Sequence, residues 1–120
     1  EQISTFKRLL ATATPTDEQQ KDIDFLLAVG ELFALVVYGQ LILEAAPLHG
    51  VADDEIDQIF DFMVRDFSKH ALSLYTKPSA TDAQMVLCQA MIRRPVVDHD
   101  RYQRVWQTVH GLNGAYAMNP

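Results

Sequence analysis

The stretch FLLAVGELFALVVYGQLIL, Phe25 to Leu43, decides how this chain reads: only Gly30, Glu31, Gly39 and Gln40 interrupt its apolar run. A helix that is apolar on every side is either a membrane span or the buried centre of a bundle. Glu31 lies within the run, where a charge at bilayer depth costs roughly 2.5–3.5 kcal/mol. The basic and aromatic anchors of a span are missing, since Lys21, Asp22 and Asp24 precede the stretch and no Lys or Arg closes its far end. The expectation is a buried, water-soluble central helix that the other helices cover on all sides, with no membrane span.

Working outward, Thr16 and Gln19 form a capping-box pattern, and Asp17 and Glu18 suit the positive end of a helix dipole. They start the central helix at Asp17. Pro47 and Gly50 stop it near Ala46, giving about 45 Å at 1.5 Å per residue. Gly30 and Gly39 each weaken it by up to about 1 kcal/mol relative to Ala, so their expected use is close approach of another helix. Upstream, Ile3, Phe6, Leu9 and Leu10 recur at helical spacing over Glu1 to Ala13, and Pro15 makes a connector.

Downstream, acidic Asp53, Asp54 and Glu55 open a helix whose stripe is Ile56, Ile59, Phe60, Met63, Phe67, Ala71, Leu74 and Tyr75. Asp61 and Arg65 have the spacing of a surface pair. Lys77 and Pro78 end that helix. Thr81 with Gln84 repeats the capping box, with Ser79 a second candidate cap, and Ala83, Val86, Leu87, Ala90 and Met91 form an inner face that Pro95 closes. Asp98 caps a last helix with Tyr102, Val105, Trp106, Val109 and Leu112 inward and Arg101 and Arg104 outward. Asn113 and Gly114 suit a left-handed ending. The tail keeps Tyr116 and Met118, apolar enough to dock on something. No segment shows sustained alternation, so the fold class is all-α, a bundle of about five helices around a long apolar one.

The 120 residues fit one helical domain, 1–120. Sixteen Asp and Glu against ten Lys and Arg give a formal charge of −6, which repels nucleic acid and anionic lipid. Cys88 is the lone cysteine, which points to a reducing compartment such as cytoplasm. No signal-peptide pattern opens the chain and no initiator Met is present, so it reads as a piece of something longer.

Candidate chemistry is sparse. Glu31 is the costliest polar residue to bury: it reads as a base with a raised pKa or, in the favoured reading, as an anchor for Tyr38 or a neighbouring helix. His49, His70, His99 and His110 form no metal-ligand spacing, and His70 pairs most simply with Asp66 one turn earlier. Cys88 among apolar neighbours reads as a core residue. Arg93, Arg94, Arg101 and Arg104 gather around a corner resembling a helix–turn–helix, but Asp98 and Asp100 would face the phosphates, so a solvated face or pairing with acidic neighbours is favoured. No catalytic, cofactor-binding or metal-ligating residue is assigned.

Three stretches carry a resemblance: GELFALVVYGQLILE at Gly30–Glu44, VRDFSKHALSLYTKPSATDAQ at Val64–Gln84, and RRPVVDHDRYQRVW…GAYAMNP across Arg93–Pro120. Together they resemble the carboxy-terminal helical region of long bacterial acyl-CoA dehydrogenases. The resemblance covers most of the chain beyond Asp24 and implies a piece of an FAD-dependent enzyme that oxidises fatty acyl-CoA to enoyl-CoA. In that family upstream domains hold the flavin, the thioester and the catalytic carboxylate, and none of those motifs occurs here. The implied role is therefore non-catalytic packing and subunit contact, with the upstream domains and a homo-oligomer as partners. The rival expectation is a stand-alone helical ligand-binding or dimerisation module, such as a regulator's effector domain, with a cavity beside Glu31 and Tyr38.

Overall fold

The computed structural model describes residues 1–115, 117 and 118, and within them the chain is all-helical. The helices are α1 (Gln2–Thr12), α2 (Ile23–His49), α3 (Asp53–Tyr75), α4 (Asp82–Met91) and α5 (His99–Gly111), with a 3-10 turn at Gln19–Lys21 before α2. α3 is the hub. It packs against α2 on one side, α4 on another and α5 near its start, while α1 packs against α4.

The core forms where the amphipathic stripes of α1, α3 and α4 meet the first half of α2. Phe6, Leu9, Phe25, Leu32, Ala71, Leu74, Cys88 and Met91 are essentially inaccessible. Phe6 meets Phe67 edge-to-face at 6.0 Å between ring centres, the arrangement that ring quadrupoles prefer. Gly39 lets α2 approach α3 closely, for an added Cβ would sit 3.3 Å from Met63 Cε and 3.4 Å from Phe60. Gly30, by contrast, faces open space.

The two Thr-x-x-Gln boxes do more than cap. Thr16 N–H donates to Gln19 Oε1 at 2.9 Å, and Thr81 N–H donates to Gln84 Oε1 at 3.0 Å. The two carboxamides then pair reciprocally, each Nε2 donating to the other's Oε1 at 2.9 Å. Their remaining protons go to Ser79 O at 2.6 Å and Ala13 O at 3.2 Å. Both side chains are buried, and every polar atom in the pair is satisfied. A second latch joins the chain start to the end of α4: Gln2 Nε2 donates to Met91 O at 2.8 Å, and Arg93 N–H donates to Ser68 Oγ at 2.8 Å.

This use of Gln19 moves the start of the central helix. The Thr16–Gln19 bonds close the turn that leads into the 3-10 segment and do not start α2; the backbone turns extended at Asp22, whose Oδ1 accepts from Asp24 N–H at 3.0 Å and Phe25 N–H at 3.3 Å. At the other end α2 runs through Pro47 to His49 and stops at Gly50, whose φ of 64° is left-handed. Proline there costs only one late hydrogen bond, while the left-handed glycine ends the helix outright.

The expectation that α2 is covered all round is overturned. One side faces the core through Phe25, Ala28, Leu32, Gly39 and Ala46, and the other side is bare: Ile23 is 74 %, Tyr38 64 % and Leu48 83 % exposed. Four helices, two of them short, supply too little surface to enclose a fifth of 27 residues. α5 also departs from expectation. None of its residues is buried, Trp106 and Val109 lie in solvent, and Arg101 and Arg104 turn toward α3. On α4 the inner face is Gln84, Leu87, Cys88 and Met91, rotated so that Ala83 and Val86 are exposed. The Gln19–Gln84 pair fixes that rotation. Met118 is exposed, and Tyr116 lies outside the described residues.

In an exposed capping box Glu serves as well as Gln. Gln84→Glu should nevertheless destabilise this chain, by about 2–4 kcal/mol, because it buries a charge and removes the donors to Ala13 and Gln19. Urea unfolding of the two chains checks this, and equal midpoints would contradict the paired-amide geometry.

Candidate functional site

The polar residues singled out from the sequence are dispersed rather than gathered. Glu31 is exposed on α2 and its Oε2 lies 3.8 Å from His70 Nε2 of α3. It is therefore not buried, and of its two expected partners it meets the neighbouring helix rather than Tyr38, with His70 facing Glu31 instead of Asp66. The reason is the half-bare helix: Glu31 sits at the edge between the core-facing and open sides, where its carboxylate stays hydrated. The shallow depression that Glu31 lines is shared with Ile23, Leu26, Leu27, Gly30 and Ala34 and does not include Tyr38. An apolar groove of about 180 Å³ opens instead between α1, α2 and α3, with Gly39, Phe60 and Met63 on its wall and Lys7 and Gln40 at its rim.

The arginines find carboxylates. Arg104 grips Asp54 with Nε at 2.6 Å and Nη2 at 3.0 Å, and this bidentate bond holds the Asp54 carboxyl below its ordinary range. Arg101 pairs with Asp61, taking the carboxylate that the sequence paired with Arg65. Arg65 instead lies over the Phe62 ring at 5.2 Å and 3.8 Å from Asp66. Arg93 reaches Glu1 at 2.6 Å. Three of the four corner arginines are thus neutralised by acidic neighbours, as expected, and two of those pairs fasten α5 to α3 in place of apolar packing.

A cleft of about 310 Å³ lies between α3 and the Pro95–Asp98 connector, lined by Phe62, Val96, Val97, His99 and Tyr102 among others. Its acids are already engaged: Asp61 by Arg101, and Asp98 as the α5 cap, accepting from Arg101 N–H at 2.9 Å. Among the described residues, no group of three His, Cys, Asp or Glu side chains is close enough to share a metal ion.

The largest unexplained feature is the open side of α2. A chain of this mass, folded as a compact monomer, has about 6,600 Å² of accessible surface and a radius of gyration near 14 Å. This one has 8561 Å² and 17.7 Å, with extents of 52 × 36 × 24 Å. α2 is also long and apolar enough, by length and composition, to cross a bilayer. The run's composition marked it as needing cover; its one-sided exposure was hidden because an all-apolar helix carries no polar face to show which side its own chain would take. Comparison with protein-family models, curated proteins and solved structures returned no match.

Cys88 is buried in the core, and desolvation pushes its thiol up to about 11. A folded pKa above the unfolded value contributes stability that is present below about pH 9 and lost as pH rises toward 11. The native chain should therefore resist a disulfide reagent such as Ellman's at pH 8 and react stoichiometrically in guanidinium. Rapid reaction of the folded chain would contradict its core placement.

Proposed function

We propose that this chain is a helical packing and subunit-contact domain belonging to a larger FAD-dependent flavoprotein of the acyl-CoA dehydrogenase type. The observation that carries the packing role is the bare apolar side of α2, a surface that a finished soluble monomer does not normally leave open. The flavoprotein parentage rests on the three resembling stretches at Gly30–Glu44, Val64–Gln84 and Arg93–Pro120. In such an enzyme, α-proton abstraction and hydride transfer to FAD belong to upstream domains, and this chain supplies buried area and helix contacts. Its cofactor, FAD, is held elsewhere in the parent, whose compartment is the cytoplasm.

The groove beside Gly39, Phe60 and Met63 favours a second reading, a stand-alone module that takes a small apolar ligand. The two diverge in the gene. The first requires several hundred coding residues ahead of Glu1, and the second requires few or a small DNA-binding unit.

Purified with FAD and a panel of acyl-CoA thioesters, the isolated chain should retain no flavin absorbance and form no enoyl-CoA. Stoichiometric FAD with turnover would overturn the non-catalytic assignment.

A further inference from the structure

We propose that the open side of α2 is the seam of an antiparallel two-helix contact with a second copy of this chain. The seam follows a heptad spacing: Ile23, Gly30, Val37 and Glu44 alternate with Leu27, Ala34, Leu41 and Leu48. All eight are exposed, and they fall along the side of α2 opposite Phe25, Leu32 and Gly39. Among the described residues, the pattern that makes a coiled-coil face is thus left without a partner.

The order of sizes along the seam selects one arrangement. With a two-fold axis between Ala34 and Val37, Gly30 faces Leu41 of the second copy, Ala34 faces Val37, Leu27 faces Glu44 and Ile23 faces Leu48. Each central contact sets a small residue against a larger one, which is how helix surfaces interdigitate without voids. Gly30 supplies the receptacle: it lies in a shallow depression with Leu26, Leu27 and Ala34, and nothing approaches its missing side chain.

The alternatives fit less well. A parallel pair would set Gly30 on Gly30 and Ala34 on Ala34, leaving a hole at its centre, and would oppose Glu44 to Glu44. Sliding the antiparallel pair by one seam step in one direction puts Gly30 against Ala34; sliding it in the other direction uncovers Ile23 and Leu27. Only the stated register uses all eight positions. Its one mismatch, Glu44 against Leu27, falls toward the seam's ends.

Area and charge point the same way. The surface beyond that of a compact monomer is about 2,000 Å², shared between the open side of α2 and the unburied α5, and a standard specific interface takes about 800 Å² from each partner. A lipid surface is a poorer occupant, because α2 contains no Lys or Arg and the chain carries −6. The contact deepens the packing-domain reading and does not need the flavoprotein parentage. Flavin turnover by the chain would unseat that parentage and leave the seam intact, whereas a failed dimer would unseat the seam alone.

The test is site-directed disulfide trapping on the whole chain, with buried Cys88 left in place and sedimentation run alongside. Like positions lie about 16 Å apart along the antiparallel axis at 1.5 Å per residue, too far for a disulfide, whereas Gly30 and Leu41 are juxtaposed. Mixed Gly30→Cys and Leu41→Cys chains should therefore give a covalent dimer under mild oxidation, and either variant alone should give little. The unsubstituted chain should sediment at twice 13.6 kDa, and Val37→Glu, a change on the surface, should restore the monomer with its helix content unchanged. A folded chain that stays monomeric throughout a concentration series overturns the proposal. So does efficient Gly30–Gly30 trapping, or a monomer that partitions onto phosphatidylglycerol vesicles through α2.

Discussion

One mismatch governs this structure: a helix of 27 residues that is apolar nearly all round meets only enough neighbouring surface to cover one side. Burial of apolar area is the main favourable term in folding, at roughly 25 cal/mol per Å², so a bare stripe of this length is stabilisation left unused. The rest of the architecture follows. α1, α3 and α4 close a small core against the first half of α2, while its outer side and the whole of α5 extend the molecule into an elongated shape.

Polar chemistry does the aligning that apolar contacts leave open. The reciprocal Gln19–Gln84 amide pair locks the start of α4 to the turn ahead of α2, so the two capping boxes become one tertiary joint. Hydrophobic contact is non-directional, whereas a pair in which every donor and acceptor is satisfied admits one geometry. Ser68 and Gln2 act similarly at the other end of α4. α5 is held differently, by Arg101–Asp61 and Arg104–Asp54. The Arg104–Asp54 pair is half exposed and of the kind that stabilises weakly, the Arg101–Asp61 pair is the more buried of the two, and no residue of α5 joins the core.

The helices were legible from the sequence, and the reason is local: caps such as Asp98 and Thr81, stops such as Gly50, and the Phe67–Ala71–Leu74 stripe depend on near neighbours along the chain. What was not legible depends on partners far away. Gln19 read as a helix opener because its bond to Gln84, 65 residues on, cannot be seen in a four-residue pattern. The stripe Tyr102, Val105, Trp106 and Val109 read as core because amphipathicity shows that a face is apolar, not that this chain covers it. Glu31 read as buried for the same reason: an apolar run marks every residue in it for burial, whereas half of this run is open.

That open half ties structure to role. The arginines of α5 and its capping acid fasten and start that helix, while the most distinctive surface of the chain is apolar, long and patterned in heptads. Hydroxyl-radical footprinting of the dilute chain tests this most directly, by comparing three aromatic residues on the same helix. Phe25 should be protected while Phe33 and Tyr38 are modified at rates near those of the unfolded chain. Equal protection of all three would show that α2 is wrapped by its own chain and would contradict the account.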